Sequence, residues 1–194
     1  MRRRTLDALL ATSGLIVAAI LLAAGGLLTW AHSFVGNEVH TQLASQQIFF
    51  PAKGSDSLND PAIKPYLEQY AGQQMTDGAQ AKAYADHFIA VHINEMTGGK
   101  TYAELSSASL ADPNNTELAG LVQTVFRGET LRGLLLNSYA FWQMGQIALY
   151  GAIASFIGAG VMLLLSILGF LHIGRVPETE EVLTGPRAQH PATV

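Results

Sequence analysis

The sequence predicts an all-α membrane protein: two transmembrane helices extended outward, carrying a small helical extracytoplasmic domain. Three observations lead there. Only 13% of the 194 residues are charged, against about 25% in ordinary globular domains. Charge is absent from two long runs, the 30 residues Ala8 to Asn37 and the 42 residues Gly133 to Gly174. The segment between them carries apolar residues at helical spacing and no strand-like alternation of any length.

The first element, residues 1–34, is a short cytoplasmic stub followed by a span. Met1-Arg2-Arg3-Arg4 precedes an apolar stretch from Leu6 to Leu28. A bilayer core needs about 20 helical residues, so the stretch is long enough to cross. It exceeds the roughly 7–15 apolar residues of a cleaved signal. We therefore expect an anchor, although Ala23-Ala24-Gly25 has the small residues of a cleavage site. Trp30 stands where an aromatic side chain meets lipid head groups.

Residues 35–146 form the expected extracytoplasmic domain. Val35, Val39 and Leu43 recur every four residues, which continues the first helix beyond the bilayer until Pro51 ends it. Lys53 to Asp60 has the composition of an exposed loop. Asp60-Pro61 resembles an N-cap with proline at the first helical position, and Pro65 keeps that helix short, with its end near Gly72. Thr76 to Thr97 is the clearest soluble helix, capped by Thr76 and closed by Gly98-Gly99. At 100° per residue its broad apolar face holds Tyr84, Ala85, Phe88, Ile89, Val91, Ile93 and Met96, with Asp86, Ala90 and Asn94 opposite. Thr101 and Glu104 have capping-box spacing. Asp112-Pro113 is expected to open a last helix through Leu118, Leu121, Val122, Val125 and Phe126, kinked at Gly128.

The second span occupies residues 147–172, with its apolar centre at Ile147 to Phe170. Trp142 and Tyr150 are the matching interface aromatics. A helix from Gly133 to His172 would be about 60 Å long, twice the bilayer, so its first turns stand outside. Residues 173–194 read as a disordered cytoplasmic tail. Orientation follows from Arg2, Arg3 and Arg4 before one span and Arg175 after the other: both termini are cytoplasmic in a multi-pass protein of the plasma membrane. The loop between the spans holds 6 basic and 11 acidic residues.

Composition excludes several classes. A chain without cysteine has no disulfide, thiolate zinc site or cysteine nucleophile. Eleven basic residues against 15 acidic do not fit nucleic-acid binding. Thr97-Gly98-Gly99-Lys100-Thr101 lacks the first glycine of a phosphate loop, with Asn94 in its place. No serine sits in a G-x-S-x-G elbow. Asn114-Asn115-Thr116 is a glycosylation tripeptide of a kind common by chance. No Asp, Glu, Lys, Arg or His lies between Ala8 and Leu28 or between Ile147 and Phe170, which disfavours a transport path. No catalytic residue, cofactor or metal is expected. The nearest approach to a metal site is His92 with Glu95 and the more distant His87, since imidazole and carboxylate suit zinc, copper or iron. His87 and His92 are five apart and do not form an i, i+4 ligand pair, so His92 is expected to pack and bond a carbonyl or Glu95. Small residues in the spans, Gly14 and Ala18 in the first and Gly151, Ser155, Gly158 and Ala159 in the second, allow close helix packing or contact with another membrane protein.

Gln42 to Pro51, Gly98 to Leu105 and Leu131 to Leu136 together resemble a family of small actinobacterial two-span membrane proteins with an extracytoplasmic loop. The likeness covers most of residues 5–172 and implies no activity. Some members carry the label of aromatic ring-opening dioxygenases, which need two histidines and a carboxylate around iron, an arrangement these histidines do not offer. The expected role is therefore non-enzymatic. The protein would act through contacts in the cell envelope as an accessory or scaffold, with the lipid bilayer and another membrane protein or itself as partners. The alternative is an extracytoplasmic sensor or a small-ligand or metal-binding module centred on residues 76–97. An apolar-ligand binder would show an enclosed cavity lined by Phe88, Ile89, Val91 and the run Tyr139 to Trp142.

Overall fold

The computed structural model describes residues 2–177 and 182. The tail expected at residues 173–194 therefore lies largely outside the described residues. Among those described the fold is all-α. Its long elements are α1 (Arg3–Ser45) and α7 (Thr116–Ile173). Between them come α2 (Asp56–Asn59), α3 (Lys64–Leu67) with a 3-10 turn at Glu68–Tyr70, α4 (Gly78–Tyr84), a π-helical turn at Ala85–Ile89, α5 (Ala90–Thr97) and α6 (Tyr102–Ala111). The chain divides into two compact units, one of Met1–Trp30 and Ala148–Val194, the other of Ala31–Ile147.

In the first unit α1 and α7 pack antiparallel along a seam of small residues. Ala11, Ala18 and Gly25 are buried at every seventh position of α1, and Ala152, Ala159 and Ser166 at every seventh position of α7. A seven-residue repeat keeps a seam in register between two gently supercoiled helices. The partners run in opposite order. Gly14 faces Ser166, a Cβ at Gly25 would lie 2.9 Å from the Phe156 ring, and a Cβ at Gly158 or Gly151 would lie 3.2 Å from Leu21 or Leu28 respectively. Ala18 and Ala159 are fully buried, and Ser155 is half-buried. The other faces are apolar and exposed: Leu10, Ile16, Ile20 and Leu27 on α1, Ile157, Leu164, Leu168 and Leu171 on α7. Both helices are long and apolar enough to cross a membrane, and only 17% and 11% of their most apolar windows is buried within the protein. Trp30 and Tyr150 are exposed.

The second unit closes on its own apolar core. Val39 and Leu43 of α1 meet Leu58, Ile63, Leu67, Met75, Ile89, Ile93, Leu105 and Val125 there. The His32 Nδ1–H donates to the Gly145 carbonyl at 2.9 Å, tying α1 to α7. Helix α1 stops at Ser45, and Gln47 turns the chain with φ of 52°. The following segment pairs antiparallel with residues 72–75, through Phe50 N–H to Gln73 at 2.9 Å and Met75 N–H to Ile48 at 2.8 Å. This pairing amounts to a single bridge, Phe49 with Gln74.

Several local expectations are corrected. The loop at 53–60 contains the helical turn α2, held because Leu58 is driven into the core at 2% exposure. Asp60 caps only a turn, accepting from Ala62 N–H at 2.7 Å, and α3 begins at Lys64. Asp77, not Thr76, caps α4, with a reciprocal bond between the Gln80 side chain and the Asp77 N–H. Asn115, not Asp112, caps α7 by accepting from Leu118 N–H at 2.9 Å. Helix α7 runs through Gly128, whose missing Cβ admits Ile93; a Cβ there would lie 2.8 Å from Ile93 Cδ1. The Thr101–Glu104 capping box and the left-handed Gly98 form as expected.

Candidate functional site

The helix expected at 76–97 is interrupted by its π turn, which changes what each side chain meets. Ala81, Ala85, Ile89, Ile93 and Thr97 are buried at intervals of four. On a regular α-helix such a row drifts about 40° per step; the wider π turn takes back part of that drift and keeps the row on the core side. Asp86, at the start of the π turn, is half-buried. It bridges Lys82 on its own helix and Arg132 of α7 at 3.4 Å. Arg132 also reaches Glu129 at 3.3 Å, while its buried Nε has no partner among the described residues. Burial raises the Asp86 pKa, but hydrogen bonds and positive charge from Lys82 and Arg132 outweigh it, so the carboxyl titrates below its ordinary 3.8. Burial pushes the Tyr84 phenol up.

The structure does not gather His87, His92 and Glu95. His92 is half-buried and its Nδ1–H donates to the Phe88 carbonyl at 2.7 Å, while its ring packs 4.5 Å from Phe88. Glu95 is exposed. His87 lies flat on Tyr66, with ring centroids 3.5 Å apart and planes 4° from parallel. Among the described residues no three histidine or carboxylate side chains form a group able to hold a metal.

The second unit does contain an open cleft of about 410 Å³ between α3, α4 with its π turn, and α7. Tyr66 is presented on one wall because Ile63 and Leu67, on the other side of α3, are buried in the core. His87 stacks on it from the π turn. Tyr139 and Trp142 form the α7 wall, with centroids 6.2 Å apart and planes 30° apart. Lys82 lies 5.3 Å over the Tyr139 ring. Gln69 and Gln143 bring amides to the rim. Trp142 is held from behind by Gly78, since a Cβ at residue 78 would overlap the tryptophan Cβ and Cγ. Trp142 is thus partly buried against the core of the helical unit. Of the residues expected to line an enclosed apolar cavity, Ile89 is buried in the core and Phe88 stacks on Tyr84 at 4.6 Å.

Two further hollows are smaller. One of about 290 Å³ lies between Phe34, Val35, Glu38 and Gln42 of α1 and Asn137 and Phe141 of α7. The other, about 260 Å³ in the first unit, is lined by Asp7, Gly14, Ser166 and His172. Ser166 Oγ and Asp7 Oδ2 are buried there without hydrogen-bond partners among the described residues.

The run Tyr139 to Trp142 was visible in the sequence, as was His87. Tyr66, Lys82, Asp86 and Arg132 were not, because no local signal joins α3 to α7. No protein-family model matches this chain, and neither a curated protein nor a solved structure is significantly similar to it.

Proposed function

We propose that the protein is a non-enzymatic, two-span component of a cell envelope, with both termini in the cytoplasm and residues 31–147 outside. In this reading it works through the contacts of that outward unit. The observation that supports it best is the distribution of apolar surface in the first unit. The helices spend their small residues on each other and leave long aliphatic side chains facing away on the remaining sides. In water such surface is unfavourable at about 25 cal/mol per Å², whereas lipid removes the penalty and accepts the fully hydrogen-bonded backbone of a helix. A buried core helix of a soluble protein would be covered, and these are not. Gentle solubilisation of native membranes followed by crosslinking tests the contact role: a defined partner supports it, and a chain that migrates alone weighs against it.

A second reading is favoured by the aromatic cleft. It assigns the outward unit a ligand-binding role, centred on the same stretch of helix as the metal alternative but using Tyr66, Lys82, His87 and Tyr139 instead of a His–Glu set. Titration of the purified chain with candidate ligands, read by the fluorescence of Trp142, tests it.

A further inference from the structure

We infer that the cleft between α3, α4 and α7 binds an uncharged carbohydrate chain. The inference rests on the ligand-binding reading above and names the ligand. Four features of the cleft select the chemistry.

Its lining is rich in aromatic rings: Tyr66, one face of which is covered by His87, and Tyr139 beside Trp142, with Lys82 over the Tyr139 ring. Aromatic faces carry negative quadrupole density and attract positively polarised hydrogens. One face of a pyranose ring is a row of such C–H groups, so sugar rings stack on tyrosine and tryptophan.

Its polar groups are amides. Gln69 and Gln143 line the cleft, and each amide carries two N–H donors and an acceptor; one Gln69 N–H is given to the Tyr66 carbonyl at 3.3 Å, which leaves its second N–H and its oxygen. Sugar hydroxyls need both, whereas a polyproline segment offers carbonyl acceptors alone.

Its charge is already spent. Lys82 is the cation lining the cleft, and it is paired with Asp86, which Arg132 also binds. A phosphate or carboxylate ligand would have to displace Asp86 from Lys82, so an uncharged ligand is favoured.

Its form is an open trough of about 410 Å³, not an enclosed chamber. That volume lies within the range of small-ligand sites, roughly 300–1,000 Å³. An open site can take one stretch of a longer polymer without enclosing the rest of it. If the unit faces outward as proposed, an envelope glycan is the accessible polymer of this kind.

The test uses the full-length chain in detergent with Trp30→Phe, which leaves Trp142 as its one tryptophan. Chitotetraose and maltohexaose are titrated as neutral probes, with decaproline in parallel. A saturable emission shift with a sugar is expected, weakened about tenfold or more by Tyr66→Ala and by Gln143→Ala. Tyr66 is 48% exposed, and circular dichroism checks that both variants keep their helix content. No saturable shift with either sugar up to ~10 mM overturns the carbohydrate assignment. So does a sugar response that both substitutions leave unchanged. Decaproline binding without sugar binding would overturn the carbohydrate and leave the ligand-binding reading standing. Silence from all three probes would count against both. None of these results depends on membrane orientation, which is tested separately.

Discussion

Substituting Gly78 by alanine adds one methyl group where the protein has no room. Gly78 is buried at the start of α4, and the new Cβ would overlap Cβ and Cγ of Trp142 and lie 3.1 Å from Cδ2. The clash is hard to relieve. A side chain touched at its far end rotates away, but the Trp142 Cβ is fixed to the backbone of α7, so rotation about χ1 leaves it in place. Either α4 or α7 must shift. Overpacking of this kind costs about 1–3 kcal/mol. Alanine returns up to about 1 kcal/mol over glycine within a helix, less at a first position. The net expectation is a loss of about 1–2 kcal/mol, or roughly 2–8 °C in melting temperature for a chain of this size. Gly133→Ala is the control, because it lies in α7 with nothing within 4 Å of the added methyl; it should be neutral or gain up to about 1 kcal/mol. Thermal unfolding of both variants in mild detergent, followed by tryptophan emission, reads the difference. Equal stability of Gly78→Ala and Gly133→Ala would refute the packing of Trp142 on α4.

Asp86→Asn should destabilise the second unit by about 1 kcal/mol, since it removes two ion pairs and leaves half-buried Arg132 with Glu129 as its acidic partner. The Asp86 pKa is lowered by folding, so its contribution is present above the unfolded value near 3.8 and is lost as pH falls through the lower folded value. Acid titration of stability should therefore be flatter in the variant below about pH 4 than in the parent, and identical acid profiles would remove the Asp86 pairing from the account. Ser166→Ala should stabilise the packed pair of helices by about 1 kcal/mol, because it deletes a buried hydroxyl that has no partner among the described residues. The midpoint of SDS-driven unfolding measures it, and a lowered midpoint would show that the hydroxyl is bonded after all.

What the sequence disclosed is what local chemistry decides. The charge-free runs marked α1 and α7, the spacing of Val35, Val39 and Leu43 marked the face of α1 that enters the core, and Thr101 with Glu104 marked the start of α6. The seven-residue spacing of Ala11, Ala18 and Gly25 was also present in the sequence, although only the Gly14–Ala18 part of that seam was picked out. The remainder depended on distant partners. Thr76 and Asp77 are equally good caps on paper, and the position of Gln80 chose Asp77. A wheel drawn at 100° per residue placed Asp86 in solvent; the π turn at Ala85–Ile89, invisible to such a wheel, brought it to Arg132. The seat of Trp142 depends on Gly78, 64 positions earlier in the chain. The cleft was illegible for the same reason: Tyr66 and Tyr139 share it only because α3 and α7 are packed in one unit.

The proposed topology is tested most directly by site-specific labelling, which the absence of native cysteine makes clean. Ser107→Cys on α6 and Pro177→Cys beyond α7 are both exposed positions. Intact cells are treated with a membrane-impermeant maleimide before and after permeabilisation. The account predicts that Ser107→Cys is labelled in intact cells and Pro177→Cys only after permeabilisation. Labelling of both from outside, or of Ser107→Cys only after permeabilisation, would contradict it.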